Sequence, residues 1–109
     1  MKFFFIKLII ATILISCNNS KKIRFTDFPQ TYSEVLTPID GVGYTTAGYE
    51  IRGITNDTII IKFYGLERRY SGEFEDKLYP DYYGGMDVNF EFDSYKADNG
   101  SVHVKYGLY

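Results

Sequence analysis

The fold is decided by the stretch between residues 49 and 63, which reads Tyr49-Glu50-Ile51-Arg52-Gly53-Ile54-Thr55-Asn56-Asp57-Thr58-Ile59-Ile60-Ile61-Lys62-Phe63. Both halves are rich in the β-branched and aromatic residues that strands favour, and apolar residues alternate with polar ones. Asn56 and Asp57, which separate the halves, are typical turn residues. The pattern therefore predicts an antiparallel β-hairpin.

The register of this predicted hairpin depends on the length of its loop. A three-residue loop from Thr55 to Asp57 sets Ile51 opposite Ile61, whereas a two-residue loop sets Ile51 opposite Lys62. A slip of one residue moves every side chain of a strand to the other face, so the apolar pattern favours the longer loop.

Strand patterns continue toward the C terminus. Residues 88–92 and 102–108 predict a second antiparallel pair, with a turn at Asp98-Asn99-Gly100 between them. Residues 69–78 alternate more weakly and predict one further strand. Two prolines interrupt residues 25–38, which are predicted to be irregular with at most a short helical turn. Five or six short strands predict an all-β fold, either a small antiparallel β-sandwich or a half-open barrel.

The chain begins with the layout of a secretory signal peptide. Lys2 and Lys7 supply positive charge, and the apolar run that follows ends at Ile15. This run is shorter than the ~20 residues that a membrane-spanning helix needs. Residues 1–16 are therefore predicted to form a signal helix that is removed by cleavage.

The signal ends in Leu14-Ile15-Ser16-Cys17, which resembles the bacterial lipobox. In lipoproteins of that family the cysteine thiol carries diacylglycerol, a peptidase cuts before the cysteine, and the new amino group is usually acylated. The resemblance implies that Cys17 is lipidated, and each buried methylene of the acyl chains contributes about 0.8 kcal/mol to anchoring. Asn18 directly follows the lipidated cysteine. Asp at this position is associated with retention in the inner membrane, so Asn18 implies transfer to the outer membrane. In general style the chain resembles small envelope lipoproteins of Gram-negative bacteria.

These features predict a simple domain organisation. The signal occupies residues 1–16, the lipidated Cys17 and a polar tether occupy residues 17–24, and one small β domain occupies residues 25–109. The tether contains the only dense local group of basic residues, which we expect near lipid head groups. That group consists of Lys21, Lys22 and Arg24.

Composition narrows the class of protein further. Asp and Glu outnumber Lys and Arg by 14 to 12, and two of the lysines belong to the signal. An acidic domain without further local basic clusters argues against nucleic acid as a partner. Cys17 is the only cysteine, so no disulfide can form within the chain. We expect the abundant Tyr and Phe rings to supply the core instead.

Catalytic and metal-binding patterns are weak in this sequence. His103, the only histidine, lies between Val102 and Val104 and is predicted to be a surface strand residue rather than a general base or metal ligand. Without a second histidine or a free cysteine, a metal site rich in nitrogen or sulfur ligands cannot be built. The acidic residues in 73–76 and 81–87 form no recognisable glycosidase pair. We predict a protein that is not an enzyme and that holds no metal or cofactor.

The most suggestive binding feature is a loop rich in tyrosine and glycine over residues 78–86. Tyr79, Tyr82 and Tyr83 offer large, semi-polar contact area at small entropic cost, although they could equally cap one end of the core. The sequence thus predicts a lipid-anchored, non-catalytic binding or accessory module with a protein or glycan partner in the envelope. The alternative is an immunity or inhibitor protein directed against a toxin or a cell-wall-degrading enzyme.

Overall fold

The structure, a computed structural model, describes residues 19–109; the predicted signal helix and Cys17 lie outside the described residues. These residues form an all-β fold, which confirms the predicted class. Its six antiparallel strands belong to one sheet that curls into a half-barrel. The strands are β1 (Asn19–Phe25), β2 (Thr31–Leu36), β3 (Ala47–Phe63), β4 (Leu66–Leu78), β5 (Val88–Asp93) and β6 (Gly100–Leu108). Within residues 19–109 no helix is long and apolar enough to span a membrane.

The predicted hairpin over residues 49–63 is wrong, because this stretch forms the single long strand β3. Residues 47–55 of β3 pair with β6, residues 60–63 pair with β5, and β4 follows both halves on the opposite edge. The register with β4 shifts between Thr55 and Ile59, and β3 bends there. Opposite Thr55 stands Gly72, whose φ of 68° lies in the left-handed region that favours glycine.

The turn residues of β3 are used to bend the strand rather than to reverse it. The side-chain oxygen of Asn56 accepts hydrogen bonds from the backbone N–H groups of Asp98 (3.0 Å) and Asn99 (3.2 Å), and its amide donates to the Asp98 carboxylate. The Asp98-Asn99-Gly100 turn therefore lies against the bend. The predicted pairing of β5 with β6 is wrong, because each of these strands pairs instead with its own half of the bent β3.

The core lies between the two halves of the bent sheet and is dominated by aromatic rings. The rings of Phe90 and Tyr106 stack with centroids 4.1 Å apart, and those of Phe25 and Phe92 do the same. The apolar rows predicted on β5 and β6 are buried, as expected from their alternation. Tyr49 and Phe63, which the predicted Ile51–Ile61 register would also set opposite each other in a hairpin, meet instead across this core with ring centroids 5.6 Å apart.

The N-terminal region corrects two further predictions. Residues 19–24, predicted as part of a tether, belong to β1, which pairs with β6 along its whole length. Residues 31–36, predicted to be irregular, form β2, which pairs with β5. A turn that contains a cis bond between Phe28 and Pro29 joins the two strands. The alternation of apolar and polar residues did not predict these two strands because both are short. In addition, most positions of β2 face solvent or are only half-buried.

Side chains connect β1 to β2 and thereby close the curl of the sheet. The Glu34 carboxylate accepts hydrogen bonds from the Tyr106 and Tyr32 hydroxyls and forms an ion pair with Lys21. The Phe25 and Tyr32 rings meet edge to face at 5.4 Å. Within residues 19–109 β4 is paired only with β3 and is largely exposed, although Tyr70, Phe74 and Leu78 pack against the core.

Candidate binding face

Four adjacent strands bring basic side chains onto the outer face of the sheet. In one cross-strand row Lys22, Lys105, Glu50 and Lys77 lie side by side, and in the next row Arg24, His103, Arg52 and Glu75 do so. Outward positions recur every second residue on each strand, so the two rows share a face. We call the surface formed by Lys22, Arg24, Arg52, Lys77, Lys105 and His103 the basic face.

The cations of the basic face are accessible and largely unneutralised. Lys22, Arg24, Arg52 and Lys77 are exposed, and Lys105 is half-buried with its ammonium group 5.8 Å from the centre of the Tyr109 ring. Within residues 19–109 the ion pairs closer than 4.0 Å are Lys21–Glu34, Arg68–Asp76 and Arg69–Glu67, and none involves this face. Five formal positive charges therefore face three carboxylates, those of Glu50, Glu73 and Glu75.

One of these three carboxylates, that of Glu50, is already engaged. It accepts a hydrogen bond from the Tyr79 hydroxyl, and this bond, with help from the charges of Lys77 and Lys105, lowers the pKa of Glu50. Partial burial of the ring and, after it, the same hydrogen bond raise the pKa of Tyr79. Glu50 stays ionised at neutral pH and anchors the tyrosine ring at the border of the basic face.

The basic face contains two shallow depressions that a ligand can occupy. The two rows line a depression of about 330 Å³, and a more open one of about 580 Å³ continues past Arg52 and His103 toward Ile54 and Ser101. Neighbouring strands are about 4.8 Å apart and successive outward residues about 6.6 Å apart. The cations thus form a grid whose spacing suits an extended chain of anionic groups better than a single small anion.

The pairing of cations across strands costs stability. Lys22 lies directly opposite Lys105, and like charges at such positions repel. An anionic ligand would remove this repulsion, which is a physical reason to regard the face as a binding surface.

His103 occupies the position predicted for it. It lies half-buried on the outer face, between Arg24 and Arg52 in register. Among residues 19–109 no group of three or more His, Cys, Asp or Glu side chains is arranged to hold a metal ion. The acidic residues of β4 are divided between its two faces. Glu73 and Glu75 alternate with Asp76, which accepts a hydrogen bond from the Tyr70 hydroxyl at 2.8 Å.

The three tyrosines of the predicted binding loop have separate environments. Tyr82 is only 3% exposed and its hydroxyl donates to the Met86 carbonyl at 2.5 Å, so it caps the core and cannot contact a partner directly. Tyr79 packs against Gly48 and Tyr109 beside the basic face. Tyr83 is 70% exposed. Tyr82 is therefore not part of a binding surface, whereas Tyr79 and Tyr83 are exposed.

Sequence reasoning missed the basic face because its residues are far apart in the chain. The signal that exists is the repeat of basic residues at every second position, as at Lys22 and Arg24 or His103 and Lys105. It becomes informative only once β1, β6, β3 and β4 are known to be neighbours. Comparison with protein-family models, curated proteins and solved structures finds no match for this chain. The geometry of the face alone therefore supports the assignment of function.

Proposed function

We propose that this protein is a lipid-anchored, non-catalytic binding module of the bacterial envelope that holds an anionic polymer on its basic face. The lipobox at Leu14 to Cys17 supports the anchor. The single observation that carries the binding role is the sheet register, which gathers five cations on one open face of a chain with a net charge of −2. The anchor would keep the face within the envelope, where phosphorylated and carboxylated polymers are exposed.

A repeating polymer fits this face better than a small molecule does. The side chains are exposed rather than gathered in a closed pocket, so each contact with an anion is weak by itself. Several weak contacts along one chain add through a high effective concentration. Binding should consequently depend on polymer length and weaken steeply as salt is added.

Binding assays with purified protein test this proposal. The probes are sodium polyphosphate, polygalacturonate and a poly-glutamate peptide, each at several salt concentrations. The variant Arg24→Gln/Arg52→Gln removes two charges from the basic face, and the control Arg68→Gln/Arg69→Gln removes two charges that have carboxylate partners on β4. We expect the first variant to reduce the slope of log affinity against log salt by about 1 for each cation removed, with the control unchanged.

Three results would contradict the proposal. Equal weakening by the two variants would mean that only the net charge matters. Binding to poly-glutamate alone would mean that the partner is an acidic protein. Lack of binding to every probe would remove the polymer-binding role.

The anchor is tested separately by metabolic labelling with a clickable fatty acid. The wild-type chain is expected to take up the label and the variant Cys17→Ala to lose it. A labelled Cys17→Ala protein would disprove lipidation at this residue. The inhibitor alternative relies on an acidic docking surface, whereas the charge concentrated on the outer face of the sheet is basic, so no contact among residues 19–109 favours it.

A further inference from the structure

One end of the half-barrel brings together the start of β1 and two apolar loops. Asn19 pairs with Leu108, which also pairs with Ala47 at the start of β3. The loop over residues 37–46 reaches this end, because the Thr45 N–H donates to the Tyr109 carbonyl at 2.8 Å. The loop over residues 79–87 reaches it as well. Its Tyr82 N–H donates to the Thr45 carbonyl at 2.9 Å, and Asp81 bridges to Thr46.

These two loops expose an unusual amount of apolar surface. They contain five of the nine large hydrophobic residues that are exposed within residues 19–109. The five are Ile39 (49% exposed), Val42 (45%), Tyr79 (43%), Tyr83 (70%) and Met86 (55%). We call this part of the surface the apolar end. Clustered exposed hydrophobic residues on a small domain mark an interaction site.

The length of the chain before β1 identifies what covers the apolar end. Cys17 lies two residues before Asn19, so the Cα atom of Cys17 can be at most about 7 Å from that of Asn19, where β1 starts. The tether predicted over residues 17–24 would have allowed a separation of more than 20 Å, on the order of 3.3 Å for each residue. Because residues 19–24 belong to β1 and not to a tether, a lipid on Cys17 holds this end directly against the bilayer.

We propose that the apolar end inserts into the interfacial layer of the membrane that holds the Cys17 lipid. This inference rests on the proposed lipid anchor. Tyrosine rings are favoured at the membrane interface, where the ring is apolar and the hydroxyl reaches polar head groups. The loops also carry Asp40, Asp81 and Asp87, whose carboxylates limit the depth of insertion and offer no attraction to anionic lipid. Insertion should therefore occur on neutral phosphatidylcholine and resist salt.

Tryptophan quenching can test this orientation, because the chain has no tryptophan of its own. Tyr83→Trp reports on the apolar end. Tyr95→Trp is the matched control, since Tyr95 is 46% exposed and follows β5 at the opposite end. The two ends are separated by the length of β6, about 26 Å. Each variant is purified as the full lipidated protein and reconstituted into phosphatidylcholine vesicles with bromine atoms near the top of the acyl chains.

Segments at the interface lie about 5–10 Å into the boundary between head groups and acyl chains, so we expect about a twofold loss of Tyr83→Trp emission and no loss for Tyr95→Trp. Mass spectrometry of the same samples shows whether Cys17 carries lipid. Lipidated protein in which Tyr83→Trp is not quenched, or in which both positions are quenched equally, would overturn the orientation while leaving the anchor intact. Protein without lipid on Cys17 would instead overturn the anchor and, with it, this inference.

Discussion

Single residues decide how closely neighbouring strands approach, and Gly53 is the clearest case. A Cβ atom at this position would lie 2.5 Å from the Ser101 carbonyl oxygen and 3.2 Å from the Phe74 ring. The carbonyl belongs to the backbone of β6 and cannot move away without disturbing the pairing of β6 with β3. Glycine is required here because of a close approach, not because of a turn.

The variant Gly53→Ala is therefore expected to lower the free energy of unfolding by about 1–3 kcal/mol, the usual cost of overpacking. Gly85→Ala is the control, since a Cβ at Gly85 would meet nothing within 4 Å. Urea denaturation of the two variants measures the difference. Equal unfolding midpoints would mean that β6 can shift to accept the methyl group.

At the scale of elements, the sequence predicts where strands form better than how they pair. Alternation places the strands over residues 88–92 and 102–108 correctly, because a half-buried strand has a period of two wherever its partners lie. It cannot show whether Asn56 and Asp57 reverse the chain or bend it. That choice depends on the Asp98-Asn99 turn, 42 residues later, which binds the Asn56 side chain.

The bend of β3 should therefore depend on Asn56. Asn56→Ala removes three side-chain hydrogen bonds to the turn between β5 and β6 and is expected to cost about 1–2 kcal/mol of stability. Asn89→Ala, at an exposed position of β5, is the matched control. Thermal unfolding followed by circular dichroism measures both. A smaller loss in Asn56→Ala than in Asn89→Ala would show that the bend holds without this contact.

The connection between β1 and β2 should make stability depend on acid. Burial alone would raise the pKa of Glu34, but hydrogen bonds from Lys21, Tyr106 and Tyr32 more than offset it and hold this pKa below its ordinary value of 4.5. A carboxylate with a lowered folded-state pKa stabilises the fold above its unfolded-state pKa and loses that contribution as the pH falls through the folded-state value.

Stability measured against pH tests this contribution. Below about pH 4.5 the wild-type protein is expected to lose stability more steeply than Glu34→Gln, in which the titrating carboxyl is absent. Glu91→Gln, at an exposed position of β5, controls for loss of a negative charge. Identical pH profiles for the wild type and Glu34→Gln would show that the carboxylate does not contribute through its ionisation.

At the scale of the whole molecule, the sequence predicts the all-β class but neither of the two surfaces that the structure suggests for binding. Lys22 and Lys77 are 55 positions apart in numbering and reach one face only through the strand order β1, β6, β3, β4. Likewise, Val42 and Tyr83 belong to loops that meet at one end because the two ends of β3 lie there. Strand order depends on contacts between distant residues, so local pattern does not contain it.

The same strand order predicts which strand of the molecule unfolds locally at the lowest free energy. β6 is paired on both edges, with β1 and β3, whereas β4 is paired only with β3 and is exposed at most positions. Regions with few buried contacts open at lower free energy and exchange their amide hydrogens faster. We expect amide exchange averaged over residues 73–78 of β4, which are paired with β3, to be much faster than over residues 102–107 of β6. Comparable protection of the two segments would mean that β4 opens only together with the core.

The pairing of Asn19 with Leu108 also sets the order of events during synthesis. Within residues 19–109 β1 pairs with β6 alone, so this edge of the sheet cannot form before β6 has left the ribosome. Folds dominated by such distant pairings also form slowly, on the millisecond-to-second scale. A nascent chain of this topology keeps β1 unpaired until β6 has been synthesised, and an unfolded chain is the form that the proposed signal peptide would require for export.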